Sequence, residues 1–495
     1  MSELREACGV YGIYDFDHNP VLQSIYWGLV SQNHRGHQSH GLLTHDSGFH
    51  LHKALGLVPR IKSSKMRRWL KKFPGHVGIG NVRYTTSGRL DDGALYQNIQ
   101  PNVAEVGNTK IAISFNGNIV NVAQLREEIE KKFSSKSASD ADLLCKKICL
   151  GLEESGNLSQ AVEQCMSDVD GAYSITGLTG DGELLAFRDP LGIKPLCMGF
   201  SEDKKIVAIS SESVGLDINA LNYFPETIKP GELIRISESG VKREQIIKQK
   251  RAAMCSFEFA YFSRPDSTLN GTTKYVCEIR RNFGRNLGKT YAEKGDENKL
   301  EAVIPIPDSA NDAGYGFHEE TGLPLESALR RHRYVTDRAF ITVPWERNGI
   351  LGKKINIMRN TVSGKKIALI DDSIVRGDTT QNVLRRMRIA GAKELHLYIT
   401  FPKIISPCFY GIDMSTFKEL IGTGREPSEV AEKIGADSVT YQSIDDLVKA
   451  IGLDENKLCL GCVTGKYPTP LAQKLADEKR AAYENGVVED KRVYE

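Results

Sequence analysis

The chain is predicted to fold as two unlike halves. The first, over residues 8–240, is an α+β assembly of stacked antiparallel sheets with helices on the outer faces, an αββα arrangement. The second, over residues 250–470, is an α/β unit with a parallel sheet. Short alternating segments predict the first half, at 9–14, 77–84, 110–115, 172–177, 183–188, 206–210 and 232–236, with Gly, Asn and Asp clusters between them. Helical patterns intervene at 21–31, 121–132 and 141–153. Beyond about Cys255 the order changes: strand patterns at 302–306, 366–370 and 394–401 alternate with helical ones, the signature of a parallel sheet. The charged stretch 242–251 is the expected boundary, and residues 471–495, charged and poor in aromatics, are expected to form a surface helix and a loose tail.

Composition narrows the class of function. A net charge of +2 argues against a nucleic-acid partner. No run of about 18 apolar residues suggests a membrane span. The first seven residues carry charge and no apolar core, unlike a signal peptide. Ten cysteines without such a leader point to thiols, catalysis or metal rather than a disulfide framework. A cytoplasmic protein is expected.

Residues 366–380 carry the strongest functional signal. The apolar run Ile367 to Ile370 ends on Asp371 and Asp372, and a loop with Arg376, Gly377, Asp378, Thr379 and Thr380 follows. A helical pattern with Val383, Leu384, Met387 and Ala390 on one face comes next. Ligands of open α/β sheets sit at the carboxyl ends of strands. Backbone N–H groups and the helix dipole there favour a phosphate, and paired carboxylates suit a sugar diol or Mg²⁺. The segment resembles the phosphoribosyl pyrophosphate (PRPP) loop of the type I phosphoribosyltransferases.

A second constellation lies near the N-terminus. Cys8-Gly9-Val10-Tyr11-Gly12-Ile13 is joined by His34-Arg35-Gly36, Arg83-Tyr84-Thr85-Thr86-Ser87-Gly88, Phe115-Asn116-Gly117-Asn118 and Asp140. With Arg188-Asp189-Pro190-Leu191-Gly192-Ile193-Lys194-Pro195-Leu196 and Ser211-Glu212-Ser213, these strings resemble the class II glutamine amidotransferase domain, an N-terminal-nucleophile hydrolase fold. Amide hydrolysis needs a nucleophile, a base and an oxyanion site. Sulfur is a strong nucleophile, and an α-amino group with a pKa of about 7.7–8 is well placed to take its proton. The resemblance makes Cys8 the nucleophile and assigns the oxyanion hole to Asn116 and the Gly117 N–H, one such donor being worth about 3–4 kcal/mol. It places glutamine among Arg35, Arg83, Thr86 and Asp140, since arginine matches a carboxylate bidentately. Cys8 is not adjacent to the initiator methionine, so residues 1–7 are expected to be removed as a short propeptide, with cleavage between Ala7 and Cys8.

Cys459-Leu460-Gly461-Cys462 is a CxxC pair for which redox, zinc and iron–sulfur readings compete. Cys255 and Cys408 add two thiols, and spacing does not choose between zinc and a cluster. All four lie in strings resembling the iron–sulfur branch of the glutamine PRPP amidotransferases, which implies a structural 4Fe–4S cluster. The other five cysteines besides Cys8 are expected to pack in the core.

In the transferase half, Ser309 is expected to complete a Mg²⁺ sphere with Asp371 and Asp372. The basic segment 331–340 resembles the mobile loop of this family, with Arg333 and Arg338 as the contacts to PRPP. The chain departs from the family pattern at Thr336, Asp337, Gly352 and Asp378, and in Gly36-His37-Gln38-Ser39-His40-Gly41. The resemblance implies glutamine-dependent amination of PRPP to 5-phosphoribosylamine with internal ammonia transfer, the first step of purine synthesis, in a homodimer or homotetramer inhibited by purine nucleotides. The alternatives are a PRPP-binding regulatory protein and an amidotransferase with another acceptor.

Overall fold

The computed structural model describes residues 8–84, 96–133, 139–223, 225–248, 251–269, 271–293, 295, 299–331 and 355–487. Among the described residues, thirteen strands build the first half. In chain order they are β1 (Gly9–Asp15), β2 (Ser39–His45), β3 (Phe49–Leu55), β4 (Val77–Arg83), β5 (Asn102–Val106), β6 (Thr109–Ile119), β7 (Gly171–Thr179), β8 (Leu184–Arg188), β9 (Cys197–Phe200), β10 (Ile206–Ser210), β11 (Glu226–Thr227), β12 (Glu232–Ser237) and β13 (Gly240–Gln245). One antiparallel sheet runs β11-β9-β10-β1-β4-β2-β3 and the other β13-β12-β8-β7-β6-β5. Val10, Leu43 and Ile79 of the first face Ala112, Leu184 and Ile234 of the second in one buried layer. Helix Leu22–Ser31 covers the outer face of one sheet and helices Asp140–Ser155 and Leu158–Asp168 cover the other. The αββα expectation holds.

Several elements escaped the pattern, among them the β2–β3 hairpin, β5, β9 and the helices Ser63–Lys72 and Leu158–Asp168. The charged stretch expected as a boundary begins inside β13. That strand is the edge of its sheet, where charges discourage pairing with other chains.

The second half is built on a parallel sheet of β15 (Ala302–Pro305), β18 (Lys366–Asp371), β19 (Glu394–Ile399) and β20 (Ser438–Tyr441). Its central strand β18 is apolar on both faces, with Ile367, Ala368, Leu369 and Ile370 all fully buried. Two short parallel strands, β14 (Met254–Cys255) and β21 (Leu458–Cys459), pair outside that sheet. Between β15 and β18 in the chain, a ladder of three residue pairs joins β16 (Leu329–Arg331) to β17 (Ile355–Ile357).

The halves are in direct contact. The Asn118 side-chain amide donates to the Phe409 carbonyl oxygen at 3.0 Å. Arg35, from the first half, reaches Glu258, from the second. No helix among the described residues is long and apolar enough to cross a membrane.

Candidate functional site

Strand order gathers the first site. β1 lies between β10 and β4, so Cys8, just before β1, meets the end of β4, where Arg83 sits. The Cys8 thiol is buried and donates to the Tyr84 carbonyl oxygen at 3.7 Å. Burial raises it above its ordinary value; Arg83 pulls it down and Asp140 pushes it up. Asp140 opens the helix Asp140–Ser155, capped by the Ser139 side chain. Burial raises its carboxyl too, opposed by Arg83 and by the amides of Ala141 and Ile119. Cys8, Arg83 and Asp140 therefore share one low-dielectric site, and a zwitterion would find both a cation and a carboxylate there.

Asn116, on β6, is completely buried, and neither its amide nitrogen nor its oxygen has a hydrogen-bond partner within the protein. Buried polar groups are nearly always paired, so this amide is set for a ligand. Beside it, a Cβ on Gly117 would lie 1.9 Å from the Ala172 oxygen, so only glycine lets β6 and β7 close up there.

Arg35 has a different place from the one expected. Its Nε donates to the Cys8 carbonyl oxygen at 3.0 Å, Nη1 to Glu212 at 2.5 Å and Nη2 to Glu258 at 2.8 Å. All three side chains are sealed from solvent. Its guanidinium is engaged by two carboxylates and by the Cys8 carbonyl oxygen, so in this structure it orients Cys8. Thr86 lies outside the described residues.

The Arg35 network should govern acid stability. Against the opposing effect of burial, His34 and Arg35 hold the Glu212 carboxyl below its ordinary value and Arg35 does the same for Glu258. The unfolded chain then binds more protons in acid, so the stabilisation is fully present above about pH 4.5 and is lost as pH falls through the folded values. Glu258→Gln leaves Arg35 charge-balanced by Glu212 alone but removes its two hydrogen bonds to a second carboxylate, and should cost about 3 kcal/mol at pH 7, with a shallower acid loss than wild type, read by urea unfolding across pH.

The second site forms where β18 ends. Asp371 and Asp372 are fully buried. Asp372 accepts hydrogen bonds from the hydroxyls of Ser309 and of Ser373, and the Asp372 N–H donates to Asp371. Burial and the neighbouring Asp372 push the Asp371 carboxyl up. Two adjacent buried carboxylates favour a cation between them. Gly377, at φ 90°, turns the chain into the helix Asp378–Ile389, whose first turn has no side-chain cap and so presents free N–H groups. Thr379 and Thr380 are buried there, and the Thr379 hydroxyl has no partner. Asp378 is exposed.

Arg376 also departs from expectation. Its guanidinium pairs with Glu419, and Asp413 lies 3.8 Å away. Glu419 in turn accepts from the Ser415 and Thr416 amides, so Arg376 braces the loop from behind rather than standing free for PRPP. Arg333, Arg338, Thr336, Asp337 and Gly352 lie outside the described residues.

Residues 89–217 match a family described as a glutamine amidotransferase domain. Over 479 residues the chain is 38% identical to the amidophosphoribosyltransferase of Methanocaldococcus jannaschii, covering 93% of this chain and 98% of that protein. The chain belongs to the amidophosphoribosyltransferase family. The amidophosphoribosyltransferase of Methanothermobacter thermautotrophicus is 36% identical over 96% of this chain and 97% of that one. A solved glutamine PRPP amidotransferase from B. subtilis, complexed with ADP and GMP, aligns with a TM-score of 0.81 at 34% identity. It covers 94% of this chain and 98% of that chain.

The four cysteines singled out from the sequence lie near one another. Cys255 and Cys459 face each other across β14 and β21. Cys462 follows one turn later, and its carbonyl oxygen accepts from the Ile405 and Ser406 amides. That anchors the segment carrying Cys408, whose sulfur accepts from the Tyr410 N–H at 3.3 Å. Burial raises all four thiols, and for Cys462 the other three add to the rise. Among the described residues no three such side chains stand at metal-holding geometry. Cys145, Cys149 and Cys165 pack in the core as expected. Glu212, Glu258 and Glu419 were not singled out as site residues. Glu212 stands inside the Ser211-Glu212-Ser213 string, which was its only signal.

Proposed function

We propose that the chain transfers the amide nitrogen of glutamine to PRPP, giving 5-phosphoribosylamine, glutamate and pyrophosphate and opening purine synthesis. The observation that carries this reading is the pair of sites in one chain: a buried thiol beside Arg83 and Asp140 with an unpartnered buried asparagine amide in the same half, and paired buried carboxylates ahead of an uncapped helix. After removal of residues 1–7, the α-amine of Cys8 takes the thiol proton and sulfur attacks the glutamine amide. The Asn116 Nδ2 and Gly117 N–H groups receive the oxyanion, while Arg83 and Asp140 hold the carboxylate and ammonium of glutamine. Ammonia leaves, and water releases glutamate from the thioester. Ammonia passes inside the protein, where it stays unprotonated, and attacks the anomeric carbon as pyrophosphate departs.

The free amides of Gly377, Asp378, Thr379 and Thr380 suit the PRPP monophosphate, and Arg333 and Arg338 are proposed to close over the pyrophosphate. Ser309, Asp371 and Asp372 would hold Mg²⁺; the buried, mutually repelling carboxylates fit a cation. When bound, Mg²⁺ offsets charge on the leaving pyrophosphate. Cys255, Cys408, Cys459 and Cys462 are proposed to hold a 4Fe–4S cluster in a structural role, supported by four adjacent thiols in an apolar setting. Glutamine, PRPP and inhibitory purine nucleotides are the proposed ligands, and a cytoplasmic homo-oligomer the proposed form.

The test is glutamine-dependent pyrophosphate release from PRPP by anaerobically purified full chain, with intact mass and metal content measured on the same sample. Release with a mass beginning at Cys8 and four irons per chain is expected. Glutaminase activity without pyrophosphate release would sink the acceptor assignment, and an intact Met1 in active protein would sink the maturation step.

A further inference from the structure

Between Asp46 and Asp91 the chain has no acidic residue, while Arg60, Lys62, Lys65, Arg67, Arg68, Lys71 and Lys72 crowd into residues 60–72. The whole chain carries 65 basic and 63 acidic side chains, so without this segment it would be net acidic. Most of these cations stand on the helix Ser63–Lys72. Its apolar face is already occupied: Met66, Trp69 and Leu70 pack with Phe73 on the outer face of the first sheet, and the rings of Trp69 and of His52 on β3 are 4.6 Å apart. Arg67, Arg68 and Lys71 fall on the opposite face at helical spacing and are exposed. None of the seven basic side chains forms an ion pair or hydrogen bond with a described residue; Lys65 and Lys72 lie over the rings of Trp69 and Phe73. A solvated helix face ordinarily mixes signs, as in the helix Val122–Glu130, where Arg126 pairs with Glu130. Here Arg67 and Lys71, and Arg68 and Lys72, set like charges four residues apart, which destabilises a helix. The first turn has no acid and the N-terminus no side-chain cap, so the helix dipole opposes Lys62 and Lys65 as well. An anionic partner would relieve this self-repulsion.

The edge of the same surface is apolar. The loop before this helix is tied to the helix Leu22–Ser31. The Tyr26 hydroxyl donates to the Pro59 carbonyl oxygen at 3.1 Å and accepts from the Ile61 N–H at 3.3 Å. The Asn33 side chain bonds both the N–H and the carbonyl oxygen of Val58. Trp27, whose ring meets that of Tyr26, and Leu57 are therefore held beside the cations, 41% and 42% exposed. A fixed ridge of cations edged by an exposed tryptophan and leucine matches the headgroup layer of a bilayer, which takes charge at its surface and apolar side chains just beneath. A nucleic-acid backbone would meet the cations but offer Leu57 nothing.

We propose that the solvent face of the helix Ser63–Lys72, with Trp27 and Leu57 at its edge, docks the chain on an anionic lipid surface. The full chain is sedimented with vesicles of phosphatidylcholine alone and of phosphatidylcholine with about 30% phosphatidylserine. Binding to the anionic vesicles only, released by about 0.5 M salt, is expected. The combined Arg67→Glu, Arg68→Glu and Lys71→Glu variant should bind them at least about a hundredfold more weakly, with an unchanged far-ultraviolet circular dichroism spectrum. Leu57→Ser should weaken binding about tenfold. If the glutamate variant does not accumulate, glutamine at the same three positions is read in its place, with a loss of at least about tenfold. No binding by wild type, equal binding to the neutral vesicles, or a charge variant that binds like wild type overturns the proposal. Tighter binding to a single-stranded oligonucleotide at the same ionic strength gives this face to nucleic acid and overturns it. A changed oligomeric state in the charge variant gives the face to a second copy of the chain and also overturns it.

Discussion

Cys8→Ser should abolish glutamine-dependent phosphoribosylamine formation while the reaction supplied with ammonium salt continues at close to the wild-type rate. The expected loss on glutamine is on the order of 10⁴-fold or more, the usual consequence of removing a covalent nucleophile. Serine is nearly isosteric in a site where Cys8 is already buried, so the Arg35 bond to its carbonyl oxygen survives. The split between nitrogen sources is the informative readout. It follows from the separation of the two sites: Cys8 precedes β1 of the antiparallel half, whereas Asp371 ends β18 of the parallel sheet. Pyrophosphate release measured with each nitrogen source checks it, and equal loss with both would mean that Cys8 supports the fold rather than the chemistry.

Asp371→Asn combined with Asp372→Asn should give the opposite pattern, a loss of about 10²–10³-fold with either nitrogen source and retained basal hydrolysis of glutamine. The substitutions keep shape and remove the two charges proposed to hold Mg²⁺. They also make a stability prediction whose sign is opposite to that of the Arg35 network. The Asp371 carboxyl is raised in the folded chain by burial and by Asp372. The native state therefore binds more protons than the unfolded one, and metal-free wild type should lose stability as pH rises from about 4 through the folded value. The asparagine variant should lack that decline. Urea unfolding at several pH values in the presence of a chelator measures it; a variant that declines as steeply as wild type would place the repulsion elsewhere.

The chemistry-bearing residues of this chain were legible where their role is local. Asp371 and Asp372 follow an apolar run and precede a glycine turn, a pattern contained in a dozen residues. Cys8 and Asn116 stand in short strings of small and apolar residues whose spacing matches strand ends. Arg35 and Arg376 were misplaced for the converse reason. An arginine is read as available for a ligand until its partner is known, and here the partners are distant in the chain. Arg35 is 177 and 223 residues from Glu212 and Glu258, and Arg376 is 43 from Glu419. The β2 strand was obscured by His40 and Gly41 within it; it is almost wholly buried, so no polar face marks its period. Half the residues of the helix Ser63–Lys72 are charged and none is fully buried, so its apolar stripe is thin. The two-residue strand β14 is too short for any period to register, yet it aligns Cys255 with Cys459.

The reach of Arg35 across to Glu258 bears on how such a chain can be cut and recombined. A fragment ending before residue 250 would retain Arg35 and Glu212 but lose the second carboxylate, and would also lose the Phe409 acceptor of Asn118. Its nucleophile would then rest on a guanidinium that keeps Glu212 but has lost both hydrogen bonds to Glu258. The glutamine-hydrolysing half is therefore not a detachable cassette. A chimera that couples it to a different acceptor domain must import a glutamate in the place of Glu258, and an acceptor for Asn118, before any question of matching substrates arises.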